Sequence, residues 1–326
     1  MYEKQILKTL KYFSFFAYYP TLDEINTFVQ VKISRDELKK ELKRLKYTPP
    51  QYSIRRKISK RKLQNWRYRS YIKLLSLFPQ IKLVGLSGSI AMMNANEDDD
   101  IDLFIITAKN RLFTGRFITL ILAQFIGLRR SREARISNFL APVGTLPAGS
   151  GVSQVAKNFN SSLSSNNETM KQCNNLARNK VCLNLFFDES NLKVPKFKQT
   201  EFVGHEVLQM KPIIIKGNIY ERFLEANGWV QAIFPNSSWI ISKIKYQRSK
   251  TSPKFKSLSF KPGFDILTLI FELPARLFEK VTKSLQLILI NRHKTTEIIT
   301  KNQLWFHPDD FEKKIKKLGR TTASVG

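Results

Sequence analysis

The chain has 326 residues, of which 42% are hydrophobic and 12% aromatic, so it can bury a full core, and a disordered chain is excluded. Lys and Arg number 55 against 26 Asp and Glu, which gives a formal net charge of +29. This excess favours a polyanionic partner such as RNA, DNA or a triphosphate, although a host with a basic proteome would produce the same surplus.

The first 75 residues predict three helices followed by a short ribbon. Thr21–Glu24 and Ser34–Glu37 are capping boxes, since each places a hydroxyl residue three positions before a Glu at the start of an apolar stripe. The helix after the second box is basic on the outside and apolar on the inside. Two prolines end it, and Tyr52–Ile54 is interpreted as one strand of a wing. Residues 1–75 therefore resemble a basic winged helix-turn-helix domain.

The next segment, Arg55–Lys73, combines nine basic residues with three aromatic ones. Cations interleaved with the rings of Trp66, Tyr68 and Tyr71 suit the backbone and bases of a nucleic acid. A solvated basic helix that turns its aromatic side chains into the core is an equally good interpretation.

From Ile81 onwards the pattern changes to strand, turn, helix and strand. Ser87, Gly88 and Ser89 form the turn. Free backbone N–H groups at the start of the following helix suit phosphate oxygens, and a glycine allows a ligand to approach closely. We therefore predict that these three residues bind a nucleotide.

The second strand of this unit, Ile101–Thr107, carries the pair Asp100 and Asp102 at its start. A spacing of two residues points both carboxylates to one face, and paired hard oxygens predict a Mg²⁺ (or Mn²⁺) site. The alternative is a solvated acidic loop, because Glu97–Asp99 precede the pair. That alternative explains Asp102 poorly, since this residue lies in an apolar run where an unpaired carboxylate is unfavourable.

The residues after this strand predict a helix and then a long insertion. Arg116 in the helix is placed to reach phosphates, or it is an ordinary solvated arginine. The apolar stretch Phe117–Leu128 is about twelve residues long and a membrane span needs about 20, so no membrane partner is expected. Residues 131–179 are rich in Ser and Asn without periodicity, which predicts an insertion or loop.

Gly88-Ser89, ten intervening residues and Asp100-Ile101-Asp102-Leu103 resemble the signature of nucleotidyltransferases of the DNA polymerase beta superfamily. The resemblance implies an α+β fold in which a mixed sheet is flanked by helices. It also implies that Gly88 and Ser89 contact a nucleoside triphosphate while Asp100 and Asp102 bind the divalent metal.

That family usually has a third carboxylate on a later strand, and this chain departs from the pattern. The equivalent strand is Val181–Phe187, whose polar residue is Asn184. Asn184 can ligate the metal through its carbonyl but cannot act as a base. Asp188 is the candidate replacement as a catalytic residue, by a shift in register. The alternative is a site that binds nucleotide with impaired chemistry.

Residues 199–326 are mostly helical in pattern, with Phe202–Met210, Ile219–Phe234 and Phe264–Ile290 as the clearest segments. We predict three regions: a winged-helix-like region at 1–75, a nucleotidyltransferase core at 76–198 and a helical module at 199–326. His205 and Glu206 are either cleft-facing or ordinary surface. The two cysteines, Cys173 and Cys182, lack His neighbours at metal spacing, so neither a zinc site nor a disulfide framework is expected, and a cytoplasmic location fits.

The predicted function is a Mg²⁺-dependent transfer of a nucleoside monophosphate from an NTP to a hydroxyl acceptor, with release of pyrophosphate. The net charge favours RNA as the acceptor, because counterion release rewards a basic protein most on a polyanion. The competing hypothesis is a catalytically degenerate, nucleotide-sensing regulator that binds nucleic acid.

Overall fold

A computed structural model of the protein describes residues 2–48, 54–129, 179–238, 265–292 and 297–306, with the side chains of 265–275 left out of the description. Almost all of the predicted insertion at 131–179, and two of the three residues of the predicted wing strand, lie outside these ranges. The helices in the described ranges are α1 (Tyr2–Ser14), α2 (Leu22–Phe28), α3 (Arg35–Arg44), α4 (Ile54–Gln64), α5 (Trp66–Leu77), α6 (Gly88–Ala91), α7 (Leu112–Phe125), α8 (Glu201–Gln209), α9 (Ile219–Ala226), α10 (Val230–Ile233) and α11 (Asp265–Asn291). The strands are β1 (Ile81–Leu86), β2 (Ile101–Thr107), β3 (Val181–Asp188), β4 (Lys211–Ile215), β5 (Ile298–Ile299) and β6 (Gln303–Trp305).

The described strands form one mixed sheet in the order β4-β1-β2-β3-β6-β5. Only the β2–β3 pair is parallel among these strands; β1 runs antiparallel to both β2 and β4, and β6 runs antiparallel to β3 and β5. The predicted α+β class is therefore confirmed at this level. Three of the strands come from residues 199–326, which were predicted as a mostly helical module. Strands of five residues or fewer, like these, are too short to show a clear periodicity.

Helices cover both faces of the sheet, and alternate residues of β2 separate the two cores. Ile101, Leu103 and Ile105 join a cluster that includes residues of α5 and α7, whereas Phe104 and Ile106 join a second cluster that includes residues of α8 and α9. All but one of the β2 residues are buried, and the exception is the partly buried Asp102. A strand covered on both faces explains why β2 is almost continuously apolar.

The register between β2 and β3 slips by one residue, which decides which side chains meet at the site. Asp102 lies opposite Cys182, and Phe104 lies opposite Leu185. Two residues of β2 therefore span the same length of the ladder as three residues of β3. The extra residue in β3 is a β-bulge, which breaks the simple alternation of faces along the strand. Counting by twos along β3 from the sequence therefore fails beyond this point.

The N-terminal helices form as the capping boxes predict. Thr21 and Glu24 cap α2 reciprocally, and Ser34 and Glu37 do the same for α3. The predicted wing differs from the structure at Ile54, which begins α4 instead of belonging to a strand. A segment without a neighbouring strand cannot satisfy its backbone hydrogen bonds as a strand, whereas a helix satisfies them within the segment itself.

The aromatic residues of the basic segment divide between core and surface. Tyr68 and Tyr71 are buried, and the Tyr71 hydroxyl donates a hydrogen bond to the Thr119 carbonyl of α7 (3.1 Å). Trp66 is 69% exposed, with the Arg67 guanidinium over its ring. The core interpretation is therefore correct for the two tyrosines, and Trp66 is the aromatic residue of this segment that is exposed.

Helix α11 is anchored to the start of α7 by polar side chains. The Glu279 carboxylate accepts hydrogen bonds from the backbone N–H groups of Phe113 (2.9 Å) and Thr114 (2.8 Å), which have no partner inside α7. Gln286 donates to the Phe113 carbonyl (2.8 Å). Within the part of the chain that the structure describes, none of the helices combines the length and apolarity needed to cross a bilayer.

Candidate metal and nucleotide site

The turn between β1 and α6 is shaped around the side chain of Asp102. The backbone N–H of Ser87 donates to the Asp102 carbonyl (3.1 Å), which continues the β1–β2 ladder into the turn. Gly88 has φ +60°, and a Cβ on this residue would lie 2.5 Å from Asp102 Oδ2. The carboxylate thus occupies the space that any side chain at position 88 would need, so only glycine satisfies both the backbone and the packing.

Asp100 and Asp102 lie together with Cys182 in a cluster that can hold a metal ion. One ligand atom from each of the three residues lies within 4.8 Å of the other two. Asp100 is 7% exposed and Cys182 is 4% exposed, while Asp102 is partly buried. Cys182 reaches the cluster because it faces Asp102 across the parallel strand pair. Cys182 was not predicted as a metal ligand, because it has no other ligand residue at metal-site spacing in the sequence. It joins the two aspartates only through the pairing of β2 with β3.

Glu206 on α8 brings a further carboxylate to the same turn. Its Oε2 accepts a hydrogen bond from the backbone N–H of Gly88 (3.4 Å). The sequence had paired Glu206 with His205 as cleft-facing or surface residues, and the structure separates them. His205 points into an aromatic cluster, stacked between Tyr12 (3.9 Å between ring centroids) and Phe28 (4.2 Å). Neighbours on a helix point about 100° apart, so one faces the site and the other the core.

The carboxylates of this site repel one another in a poorly solvated place. Burial raises the pKa of Asp102 well above its usual 3.8, and the charges of Asp100 and Glu206 raise it further. A hydrogen bond with the Cys182 thiol opposes that shift. Burial also raises the pKa of Glu206, against the stabilising Gly88 N–H. A bound cation would relieve this repulsion and return the carboxylates to their ionised form.

Ser89 and the acidic loop before β2 are held in place by hydrogen bonds. Ser89 Oγ donates to Asp99 Oδ2 (2.9 Å), which also accepts from the Asn96 backbone N–H (2.9 Å). On the other side of the loop, Lys62 Nζ donates to the carbonyls of Glu97 (2.6 Å) and Asp99 (2.5 Å). Lys62 is only 2% exposed. The acidic loop is therefore partly neutralised by a buried cation of α4 and is not simply a solvated charge run.

Asn184 lies next to the cluster. Its Nδ2 donates to Cys182 Sγ (2.6 Å), and its backbone carbonyl accepts from the Phe306 N–H (2.8 Å). The residue directly opposite Asp102 is Cys182 and not Asn184, and the metal-ligand role of Asn184 stays a prediction.

The strand register contradicts the predicted catalytic role of Asp188. Asp188 lies opposite Thr107, at the far end of the strand pair from Asp102. Its carboxylate accepts from Ser190 N (2.9 Å) and Ser190 Oγ (2.6 Å) through Oδ1, and from Arg111 N (3.3 Å) through Oδ2. Asp188 thus holds together the loop after β3 and the start of α7, and it cannot supply the third carboxylate.

Arg116 contacts α11 and the end of the sheet. Its guanidinium donates to Gln286 Oε1 (2.6 Å) and lies 4.7 Å from the ring centroid of Phe306. These contacts join α7 to α11 and to the residue after β6. They give Arg116 a structural role, and its contact with a nucleotide stays a prediction.

No protein-family model, curated protein or solved structure matches the chain significantly. The resemblance to nucleotidyltransferases therefore depends on the residues of the turn and of β2, and on the geometry in which they meet.

Proposed function

We propose that the protein is a divalent-metal-dependent nucleotidyltransferase, which transfers a nucleoside monophosphate from an NTP to a hydroxyl acceptor. The observation that carries this proposal is the contact between Asp102 and Gly88, because one carboxylate of the Asp100 and Asp102 pair lies against the turn that we propose to bind phosphate. Metal ligands and phosphate-binding donors in one site are what nucleotidyl transfer requires.

Asp100 and Asp102 would hold Mg²⁺ or Mn²⁺ between their carboxylates. When bound, the metal would neutralise charge on the triphosphate and align it for displacement at the α-phosphorus. The donors of the turn support this role. Gly88 N–H and Ser89 Oγ already donate to carboxylate oxygens of Glu206 and Asp99, so they are directed at anionic oxygen and suit phosphate oxygens equally well. Ser87 would contribute by orienting the turn.

Glu206 is our candidate for the proton acceptor of the reaction. The acceptor hydroxyl would form the new bond to the α-phosphorus while the bond from that phosphorus to the bridging oxygen breaks and pyrophosphate leaves. The hydroxyl proton would pass to Glu206, whose pKa is raised by burial and so is better matched to a base working near neutral pH. Glu206 would thus replace, from α8, the carboxylate that β3 lacks.

RNA is our candidate acceptor. The net charge of +29 supports a polyanion, and both α4 and α5 carry exposed basic residues, of which Arg61 of α4 pairs with Glu97 of the acidic loop. Two exposed rings, those of Trp66 and Phe125, line a shallow groove with Arg67. Bases of a single strand stack on such rings next to a guanidinium. Gly127 of this groove accepts from Lys180 Nζ (2.6 Å), so one hydrogen bond and two residues of chain link the groove to Cys182.

A second candidate function is a nucleotide sensor without transferase activity. The observation that favours it is that β3 brings Cys182, and not a carboxylate, opposite Asp102. Such a protein would bind the metal and NTP through the same turn and would regulate nucleic-acid binding without turnover.

The deciding experiment incubates the full chain with Mg²⁺ or Mn²⁺, each α-labelled NTP and total bacterial RNA, and measures label incorporation and pyrophosphate. We expect incorporation that is lost in the Asp100→Asn, Asp102→Asn double variant and is kept in Asp98→Asn, an exposed acid of the same loop. Turnover that survives the double variant would refute the site. Metal-dependent NTP binding without turnover in the wild type would establish the sensor instead.

The role of the acceptor groove has its own test. Trp66→Ala is expected to raise the KM for RNA about tenfold, given that each stacked base contributes about 1–3 kcal/mol, and to leave the KM for NTP unchanged. An unchanged KM for RNA would remove the groove from the proposal.

A further inference from the structure

The donor set of the Asp100, Asp102 and Cys182 cluster is not the set that magnesium prefers. Mg²⁺ takes oxygen ligands and keeps several waters, whereas thiolates select softer cations such as zinc. Here a sulfur atom lies within 4.8 Å of both carboxylate ligand atoms. The third protein position of the site is therefore a soft one.

The surroundings of Cys182 differ from those of a cysteine that only fills space in a core. A structural cysteine packs as a small apolar group. Cys182 instead faces Asp102 across the strands and accepts a hydrogen bond from the Asn184 side chain (2.6 Å). An N–H group that donates to the sulfur stabilises the thiolate and orients it. Hydrogen-bond partners of metal ligands commonly have this role.

We infer that the site binds a thiophilic divalent cation of the zinc class, with Cys182 as a thiolate ligand beside Asp100 and Asp102. On binding, the S–H bond of Cys182 breaks and its proton passes to solvent, while a bond forms between sulfur and the cation in exchange for one of its waters. Asn184 acts as a positioning residue for the sulfur. The inference rests on the metal site of the proposed function and is independent of whether that site transfers nucleotides.

The metal preference of the protein follows from this ligand. Zn²⁺ and Co²⁺ should bind far more tightly than Mg²⁺, and Cys182→Asp should reverse the order by supplying oxygen. Because loss of one ligand or its partner typically changes metal affinity by about 10- to 100-fold, we expect at least a tenfold loss of Co²⁺ affinity in Cys182→Ser.

The first experiment titrates Co²⁺ into the reduced, metal-free full chain and records the thiolate-to-cobalt charge-transfer absorption. Cys173 is the other cysteine of the chain, so Cys173→Ser is the matched control. We expect the band in the wild type and in Cys173→Ser, its loss in Cys182→Ser and in Asp102→Asn, and its displacement by Zn²⁺. Circular dichroism of each variant checks the fold.

A second measurement leaves Cys182 intact, in case its replacement disturbs β3. X-ray absorption of the zinc-loaded Cys173→Ser protein should show one sulfur neighbour at about 2.3 Å beside oxygen neighbours. A shell of oxygen and nitrogen alone would overturn the inference, as would a thiolate band that depends on Cys173.

The outcomes for the two proposals are distinct. Mn²⁺ binding and NTP turnover that depend on Asp100 and Asp102, with no thiolate band, would keep the proposed function and reject the thiolate ligand. A thiolate band from Cys182 without turnover would keep the ligand and reject the transferase. A protein that binds no divalent cation would reject both.

Discussion

The carboxylate of Asp102 lies against the bare Cα of Gly88, with Oδ2 2.5 Å from the place of a Cβ on that residue. The two residues are fourteen positions apart in the chain. They meet because the turn after β1 is hydrogen bonded to the first residues of β2. The glycine of the turn is therefore required for this position of the Asp102 carboxylate.

Gly88→Ala should weaken both the fold and the metal site. Alanine in the left-handed region is disfavoured by about 1–2 kcal/mol, and its methyl group would displace the Asp102 carboxylate. Gly217→Ala is a matched control, because Gly217 has φ +66° with no atom within 4 Å of the new Cβ. Denaturant unfolding should show a lower free energy of unfolding in both variants. A Mn²⁺ titration should show a lower affinity for the metal only in Gly88→Ala. Equal metal affinities would show that the contact is unimportant.

Asp102→Asn should stabilise the metal-free protein. The folded pKa of Asp102 lies above its usual 3.8, so the ionised group opposes folding at neutral pH, and this penalty grows as pH rises from the usual to the raised pKa. The free energy of unfolding of the metal-free variant is therefore expected to exceed that of the metal-free wild type at neutral pH. The same variant should lose the stabilisation that Mg²⁺ or Mn²⁺ adds to the wild type. Thermal unfolding of both proteins, with and without metal, measures both effects. A metal-free variant that melts at a lower temperature than the metal-free wild type would contradict the predicted stabilisation.

Lys62→Met should loosen the acidic loop. Lys62 is buried and donates to the carbonyls of Glu97 and Asp99, and a hydrogen bond from a charged donor contributes about 1.5–3 kcal/mol. We expect a loss of about 2–4 kcal/mol in unfolding free energy, together with weaker metal binding because the loop leads into Asp100. Lys60→Met, which removes an exposed lysine of the same helix, should change neither quantity. A similar loss in both variants would point to a general effect of charge on α4.

The stability of the protein should fall as pH decreases below about 6.5 because of His205. Burial among aromatic rings, with a smaller effect of the Lys8 charge, lowers the pKa of His205 well below its usual 6.5. Between these two pKa values His205 is protonated in the unfolded chain but not in the folded protein. The free energy of unfolding therefore falls by up to about 1.4 kcal/mol for each unit by which the pH decreases. His205→Phe keeps a ring between Tyr12 and Phe28 and removes the titration. The difference between wild-type and variant unfolding free energies, measured from pH 5 to 7.5, isolates this group. Parallel pH profiles would disprove the effect.

Features that depend on residues close together in the chain were predictable from the sequence. The capping boxes at Thr21 and Ser34 link a side chain to a backbone group three residues away. The shared face of Asp100 and Asp102 follows from the period of a strand. The strand, turn and strand around Gly88 follow from a local change in pattern, and these are the residues that meet in the structure.

The remaining members of the site were decided by the tertiary structure, because they meet across the sheet or from another layer. The register of β2 and β3 puts Cys182, and not Asn184, opposite Asp102, and it puts Asp188 opposite Thr107 at the far end. Glu206 arrives from α8, more than a hundred residues after Gly88. The register of two strands and the packing of a helix on a sheet depend on contacts between residues that are far apart in the chain. Local sequence patterns do not predict these contacts. The sequence by itself therefore determined the turn and the aspartate pair, and the packed sheet determined which sulfur and which third carboxylate stand beside them.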